Sequence, residues 1–555
     1  MVMNGLMMDD PLLISGIIDY AATNHASTEV VAREVDGEVR RRTYAQIDLR
    51  ARRLASGLQK RGAMAGTRMA SLAWNTLRHF ELFYAVPGSG AVLHTVNPRL
   101  HEDQLVYILN DAADEVLLVD AESLALAERL APRLETVRTF VLLEDTDRLP
   151  ASSLPSLVSV EVIIEEGDPA WRWPTFDERQ AAIICHTSGT TGDPKGVVYS
   201  HRAILLQTLY GASVPYMPGT EHGKQQTLLS LAPMFHGNAW NYPFVGPLIG
   251  AKLVFPGRSF EPARIYDLIR DEKVTRAAGV PSIWVMLADW AKAEGKSLAP
   301  LKQAFGAGST VPPSMIRRLM DEQGLEVTQS WGMTEALLAT TNTLKPGHGD
   351  LPTAEQFAWR SKSGRAAFGV KLRIVDDHEV ELPRDGESVG HLRIKGPTIA
   401  AGYLNRPDSG ALDAEGWLVT GDLATLDEHG YLTIVDRLKD VIKSGGEWIS
   451  SLALERAALN HPAVAQAAVI GVPHAKWVER PLLLVVLRPG MAVTPAQLTE
   501  HLRPQVARWW LPDGVEIVDG LPMSATGKVN KRGLREKYQS YTATPCASSF
   551  MTGPR

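Results

Sequence analysis

An α/β architecture in two unequal parts follows from three features of this sequence. Helix-like and strand-like hydrophobic patterns alternate through most of the chain. At 555 residues it is too long for one hydrophobic core and should divide into two or more domains. Near residue 437 the texture changes at a charged knot, Asp436-Arg437-Leu438-Lys439-Asp440, and the compact set of elements beyond it can stand as a small domain.

Thr43-x-x-Gln46 has the spacing of a capping box, and Ile47, Ala51, Leu54, Ala55 and Leu58 behind it share one helical face. Val116-Leu117-Leu118-Val119 and Phe140-Val141-Leu142-Leu143 read as buried strands. Past the charged knot the pattern predicts a helix over 452–459, strands over 467–472 and 481–487, a helix over 495–506 and a strand over 515–518. Residues 1–437 are therefore expected to form the larger unit and 438–541 the smaller one. The Ser/Thr/Pro-rich stretch 542–555 reads as a disordered tail.

Composition narrows the function classes. The chain is 45% hydrophobic and 22% charged, with a net charge of −6, so no basic excess points to nucleic acid. No apolar run approaches bilayer length, and the start carries two aspartates and no basic cluster, unlike a signal peptide. Its two cysteines, Cys185 and Cys546, give no disulfide framework, and Cys185 reads as a small core residue. The cytoplasm is the expected compartment.

The most informative segment is His186-Thr187-Ser188-Gly189-Thr190-Thr191-Gly192-Asp193-Pro194-Lys195-Gly196. Glycines let backbone N–H groups curl toward one anion, hydroxyls add donors, and Lys195 adds a point charge, which suits a polyphosphate. The spacing differs from the common nucleotide loop, because Pro194 stands between Gly192 and Lys195. Four further segments carry chemistry. Gly306-Ala307-Gly308-Ser309-Thr310 is a turn suited to close approach by a flat ring. Ser330-Trp331-Gly332-Met333-Thr334-Glu335 sets an indole four residues before a carboxylate that can reach a hard cation. Thr420-Gly421-Asp422 offers an acceptor for sugar hydroxyls, and Ser524-Ala525-Thr526-Gly527-Lys528 puts a lysine on a glycine turn. Singly, each has a plainer explanation: Trp331 as core, Asp422 as a helix cap, Lys528 as a solvated charge.

In this order the five motifs resemble the signature set of the adenylate-forming superfamily, and the resemblance runs from about residue 15 to 540. Leu231-Ala232-Pro233-Met234-Phe235-His236-Gly237-Asn238-Ala239-Trp240 and Lys443-Ser444-Gly445-Gly446-Glu447-Trp448-Ile449-Ser450 are similar to the bacterial medium- and long-chain fatty acid–CoA ligases. A related branch activates 3-methylmercaptopropionate. The resemblance implies a large adenylation domain of several subdomains, with mixed sheets, helices and a small β-barrel, followed by a small mobile α/β domain.

It also implies ATP, Mg²⁺ and coenzyme A as reactants or cofactor. Thr187, Ser188, Gly189, Thr190, Thr191 and Gly192 would hold phosphates, with Thr187 and Glu335 positioning Mg²⁺. Lys195 would either brace that loop or touch phosphate. Trp331, with Gly332, Met333 and Thr334, would face adenine, and Gly308, Ser309 and Thr310 its edge. Asp422 and Arg437 would take the ribose. Lys528 would bridge the carboxylate and α-phosphate. Lys439 would be the hinge whose rotation exchanges Lys528 for Lys443 and Trp448. His236, Trp240, Gly279, Val280 and Pro281 would line the acid's pocket, although a histidine between Phe235 and Trp240 is also at home in a core. A medium- or long-chain fatty acid is the expected substrate; a short thioether, branched or aryl acid, a separate carrier protein as acceptor, and an adenylate-binding sensor without turnover remain open. A homodimer is the expected assembly by analogy.

Overall fold

The computed structural model describes the chain except residues 1, 2, 4, 188–192, 214–219, 222–223, 310, 408, 446, 524–527 and 542–555. The tail and five loop positions (Ser188, Gly189, Thr190, Thr191 and Gly192) thus lie outside the described residues, as does Thr310.

Two seven-stranded sheets carry the larger unit. One runs Leu157–Ser159, Thr139–Leu142, Val116–Val119, Arg68–Leu72, Val92–Thr95, Ala181–His186, Gly196–Ser200, parallel throughout except for the last pair. The other runs Glu326–Gln329, Gln303–Gly306, Arg276–Gly279, Thr227–Ser230, Lys252–Phe255, Glu29–Arg33, Val39–Thr43, again with one antiparallel pair at its end. Parallel strands covered on both faces need unbroken apolar runs, which is why 116–119 and 140–143 show no alternation. The helix Leu77–Gly88 is buried on every side because it touches strands of both sheets, and Phe80, Phe83 and Tyr84 pack there with Phe244 and Phe255.

Thr43 begins the helix Tyr44–Lys60 with the expected box: Gln46 N–H donates to Oγ1, and Thr43 N–H donates to the Gln46 side chain at 2.9 Å. Ile47, Ala51, Leu54, Ala55 and Leu58 form its buried face. Farther along, Gly57 lets the helix Val160–Glu166 come so close that a Cβ there would lie 2.0 Å from the Ile163 carbonyl oxygen.

The part expected as a small barrel is a six-stranded antiparallel sheet, Thr340–Thr341, Gly364–Ala366, Tyr431–Arg437, Leu418–Leu426, Gly390–Lys395, Lys371–Val375. Beyond residue 440 a five-stranded sheet forms around Val464–His474 and Val478–Leu487, with a core on each face. Alternate residues face opposite ways: Leu483 and Val485 join Leu454 and Leu498, while Leu482 and Leu484 join Ile470 and Leu534. The expected helix over 495–506 stops at Leu502. Pro504 accounts for this, since its ring takes the place of a helical donor and clashes with the preceding turn.

Replacing Gly57 by alanine forces two backbones apart. We expect a loss of about 1–3 kcal/mol, read as a lowered thermal midpoint; an unchanged midpoint would contradict the close approach.

Candidate active site

The segments singled out in the sequence follow the carboxyl ends of strands: Thr187 after Ala181–His186, His236 after Thr227–Ser230, Val280 after Arg276–Gly279, Gly308 after Gln303–Gly306, and Trp331 after Glu326–Gln329. Open parallel sheets present their ligand crevices at that edge.

Asp422 and Arg437 are direct partners in register across two antiparallel strands. Arg437 Nε lies 3.1 Å from Asp422 Oδ1, and the Trp331 indole N–H donates to Oδ2 at 2.9 Å. Oδ1 is buried yet receives no aligned hydrogen bond, so it remains an open acceptor. Burial pushes the Asp422 carboxyl above its ordinary range, opposed by Arg437 and, more weakly, by Lys528. Lys528 thus reaches this pair from the last stretch of the chain. Burial lowers its ammonium to about 8, assisted by Arg437 and Lys439 and opposed by Asp422. His236 is driven down to about 4, first by burial and then by the charge of Lys528. A lysine, an arginine, a buried carboxylate and a histidine are therefore electrostatically linked, Lys528 acting on both the Asp422–Arg437 pair and His236.

Gly332 is required by the tight turn after Trp331: a Cβ there would fall 1.8 Å from the Leu337 carbonyl oxygen. Thr340 Oγ1 accepts the Trp331 N–H at 3.0 Å, and Tyr199 donates to the Thr334 carbonyl at 2.5 Å. Met333 packs, partly buried, against the core of the six-stranded sheet. Glu335 is buried, and its Oε1 accepts the Tyr403 hydroxyl at 2.6 Å. Lys195 Nζ lies 4.7 Å from the centre of the Tyr403 ring. Thr187 and Lys195 clamp the neck of the glycine loop: Thr187 N–H donates to the Lys195 carbonyl at 2.9 Å, and Lys195 N–H to Thr187 Oγ1 at 3.1 Å.

Beside His236 in the sequence, Trp240 stands edge-on to Phe305 with centroids 6.0 Å apart. A Cβ on Gly308 would lie 3.3 Å from the indole and 3.2 Å from Val280, so the glycine lets Trp240 rest on the turn that ends in exposed Ser309. Gly279 packs on Leu231, and Pro281 opens the helix Pro281–Ala293. Five consecutive residues, Gly237, Asn238, Ala239, Trp240 and Asn241, have φ between 50° and 69°. Such a left-handed turn costs about 1–2 kcal/mol for each ordinary L-residue, and it carries Trp240 directly behind His236.

Lys443 and Trp448 are not brought to the cleft. They pair across a short exposed hairpin, where Trp448 stands edge-on to His391 at 6.1 Å and Lys443 N–H donates to Glu479. Lys439 is lowered by burial, with Asp440 opposing. Sequence reasoning passed over Tyr403 and the left-handed turn. Nothing in local spacing joins Tyr403 to Glu335, 68 residues away.

The chain matches the AMP-binding enzyme family over residues 18–404 and its C-terminal domain over 453–528, and it belongs to that family. It is 42% identical over 538 residues to a medium-chain-fatty-acid–CoA ligase of Ectopseudomonas oleovorans, covering 97% of this chain and 98% of that one. It is 44% identical over 538 residues to a 3-methylmercaptopropionyl-CoA ligase of Ruegeria lacuscaerulensis, covering 97% and 99%. The anthranilate CoA ligase AuaEII, solved with anthranoyl-AMP, shares the fold, with a TM-score of 0.84 at 23% identity over 96% of this chain and 98% of that one.

With Lys528 lowered to about 8, a reaction that needs its ammonium should weaken as pH rises through that value. The acid-dependent kcat/KM, which reports the free enzyme, is expected to fall above about pH 8, and Lys528→Arg to remove that fall while lowering the plateau. An identical alkaline limb in the arginine variant would assign the titration elsewhere.

Proposed function

We propose that this enzyme joins a medium- or long-chain fatty acid to coenzyme A at the expense of ATP. The products are acyl-CoA, AMP and diphosphate, and an acyl-adenylate is the intermediate. The observation that carries this reading is the Asp422–Arg437 pair, bound to the Trp331 indole and electrostatically linked to Lys528, which also acts on His236. The family and the CoA ligases named above support acid–thiol ligation. The 44% identical relative gives 3-methylmercaptopropionate as the second candidate acid.

In the first step an oxygen of the acid attacks the α-phosphorus of ATP, and the bond to the β-phosphate oxygen breaks. Two anions must meet, so cations placed where charge gathers dominate the rate. Lys528 would hold the carboxylate against the α-phosphate. Asp422 Oδ1, the open acceptor, would take a ribose hydroxyl beside Arg437. Trp331, its indole fixed in plane by Asp422, would lie on adenine. Gly308, Ser309 and Thr310 would meet the adenine edge, and the 187–192 loop the phosphates. Glu335 and Thr187 supply hard oxygen ligands that fit Mg²⁺, which would spread phosphate charge when bound. Among the described residues no group of three or more His, Cys, Asp and Glu side chains could cage a metal, so substrate phosphates would complete the shell.

In the second step the CoA sulfur attacks the acyl carbon and AMP leaves. We propose that the 438–541 unit turns about Lys439 between the steps, withdrawing Lys528 and delivering Lys443 and Trp448. Among the described residues no helix is long and apolar enough to cross a membrane. A cytoplasmic site and a homodimer remain parts of this proposal.

Release of diphosphate over a panel of acids, with and without CoA, tests the reading. Sustained CoA-dependent turnover on one acid class is expected. A single burst unresponsive to CoA would point to a carrier-protein acceptor, and silence throughout to an acid outside the panel or to a sensor. Lys528→Ala should lose roughly 10²–10³ in adenylation rate; unimpaired diphosphate release would remove Lys528 from the chemistry. Lys439→Pro should keep adenylation and lose thioester formation, whereas equal loss of both would deny a hinge there.

A further inference from the structure

A buried polar chain outside the reaction centre ends at the neck of the glycine loop. Asp114 and His94 are both wholly buried, and Asp114 Oδ2 lies 2.7 Å from His94 Nδ1. His94 Nε2 lies 2.8 Å from His186 Nδ1, with ring centroids 4.8 Å apart. His186 Nε2 then faces Asp111 Oδ2 at 3.4 Å. A single hydrogen can sit between the two rings, so the tautomer of one histidine fixes that of the other.

The backbone explains where this chain leads. Val92–Thr95 and Ala181–His186 are adjacent parallel strands, with His94 level with Ile184. His186 is the last residue of its strand, pairs with Gly196 across the stem, and is followed directly by Thr187. A Cβ on Gly196 would lie 3.1 Å from His186 Nε2, so the ring is packed against the far side of the stem. At the other end, Asn405 donates to the Asp111 carbonyl at 2.7 Å, and Leu404 N–H to the Gly196 carbonyl at 2.8 Å. Both belong to the turn that begins with Tyr403, whose hydroxyl holds Glu335. One network thus grips the stem that bears Thr187 and Lys195 and the turn that orients Glu335.

We propose that His94 and His186 are positioning residues for ATP: the ring-to-ring hydrogen bond, anchored on Asp114, aims the stem of the phosphate loop and the Tyr403 turn together. The inference rests on the functional reading above, because it assigns polyphosphate to that loop. A purely structural network would serve stability alone, and substitutions in it would disturb acid and nucleotide alike.

Asparagine separates the two cases, because its amide can stand in for the Nδ1 side of an imidazole but has no atom at Nε2. His94→Asn keeps a partner for buried Asp114 and cuts the link to His186. His186→Asn keeps the link to His94 and gives up only the longer contact to Asp111. ATP binding with Mg²⁺, measured by calorimetry on the full chain without acid, is expected to weaken about tenfold in His94→Asn. It should stay within about threefold of the native protein in His186→Asn, and His186→Phe should match His94→Asn. KM for the acid should remain unchanged in all three. Native ATP affinity in folded His94→Asn would overturn the proposal, as would equal losses for ATP and acid. Should His94→Asn not fold, the contrast between His186→Asn and His186→Phe decides alone. If the unaltered protein binds no ATP, the functional reading itself fails; if it does and the variants do not differ, only this inference does.

Discussion

Everything in the site depends on a buried carboxylate, Asp422, held against Arg437 through Oδ1. Burial pushes it above its ordinary range. Arg437, directly across the strand pair, restrains that shift, and the Trp331 indole satisfies the other oxygen. The same arrangement sets the character of Lys528, which shares its surroundings with two further cations and is lowered to about 8. An ammonium held so is shifted toward its neutral form. Two anions, a carboxylate and a phosphate, would relieve it, which is the charge balance adenylation demands.

The small unit that carries Lys528 is bonded to the larger one on both sides of the proposed hinge. Asp436 Oδ2 receives the N–H groups of Ser451 at 2.6 Å and Leu452 at 3.3 Å, the open donors at the start of the helix Ser451–Leu459. Ser450 donates to the Val435 carbonyl at 2.7 Å. Farther away, Asp289 joins Arg318 of its own unit to Arg488 of the other, at 2.5 and 2.8 Å. Rotation about Lys439 would have to break these bonds. They are polar bonds that other partners can replace, so this arrangement can be stable without being permanent.

The sequence was most readable where function is carried by short contiguous segments. Of the five motifs, three follow strand ends and Thr420-Gly421-Asp422 lies on the 418–437 hairpin; strand ends are visible as the point where an apolar run gives way to glycine. The capping box at Thr43 and the buried face behind it were equally legible, because both are local. What could not be read depends on partners far apart in the chain. The left-handed turn at residues 237–241 is built where Leu337, Phe305 and Gly308 converge, and no propensity of Ala239 or Trp240 announces it. Tyr403 meets Glu335, and His94 meets His186, only through sheet register and packing. The end of the helix at Leu502 was within reach, since Pro504 marks it.

Acid-dependent exchange of labelled diphosphate into ATP, run without coenzyme A, tests the central claim most directly. It requires reversible formation of an acyl-adenylate in the cleft described and nothing else. The account predicts exchange with a fatty acid or short thioether acid that disappears in Lys528→Ala. Formation of the CoA thioester without any exchange, or exchange that survives that substitution, would contradict it.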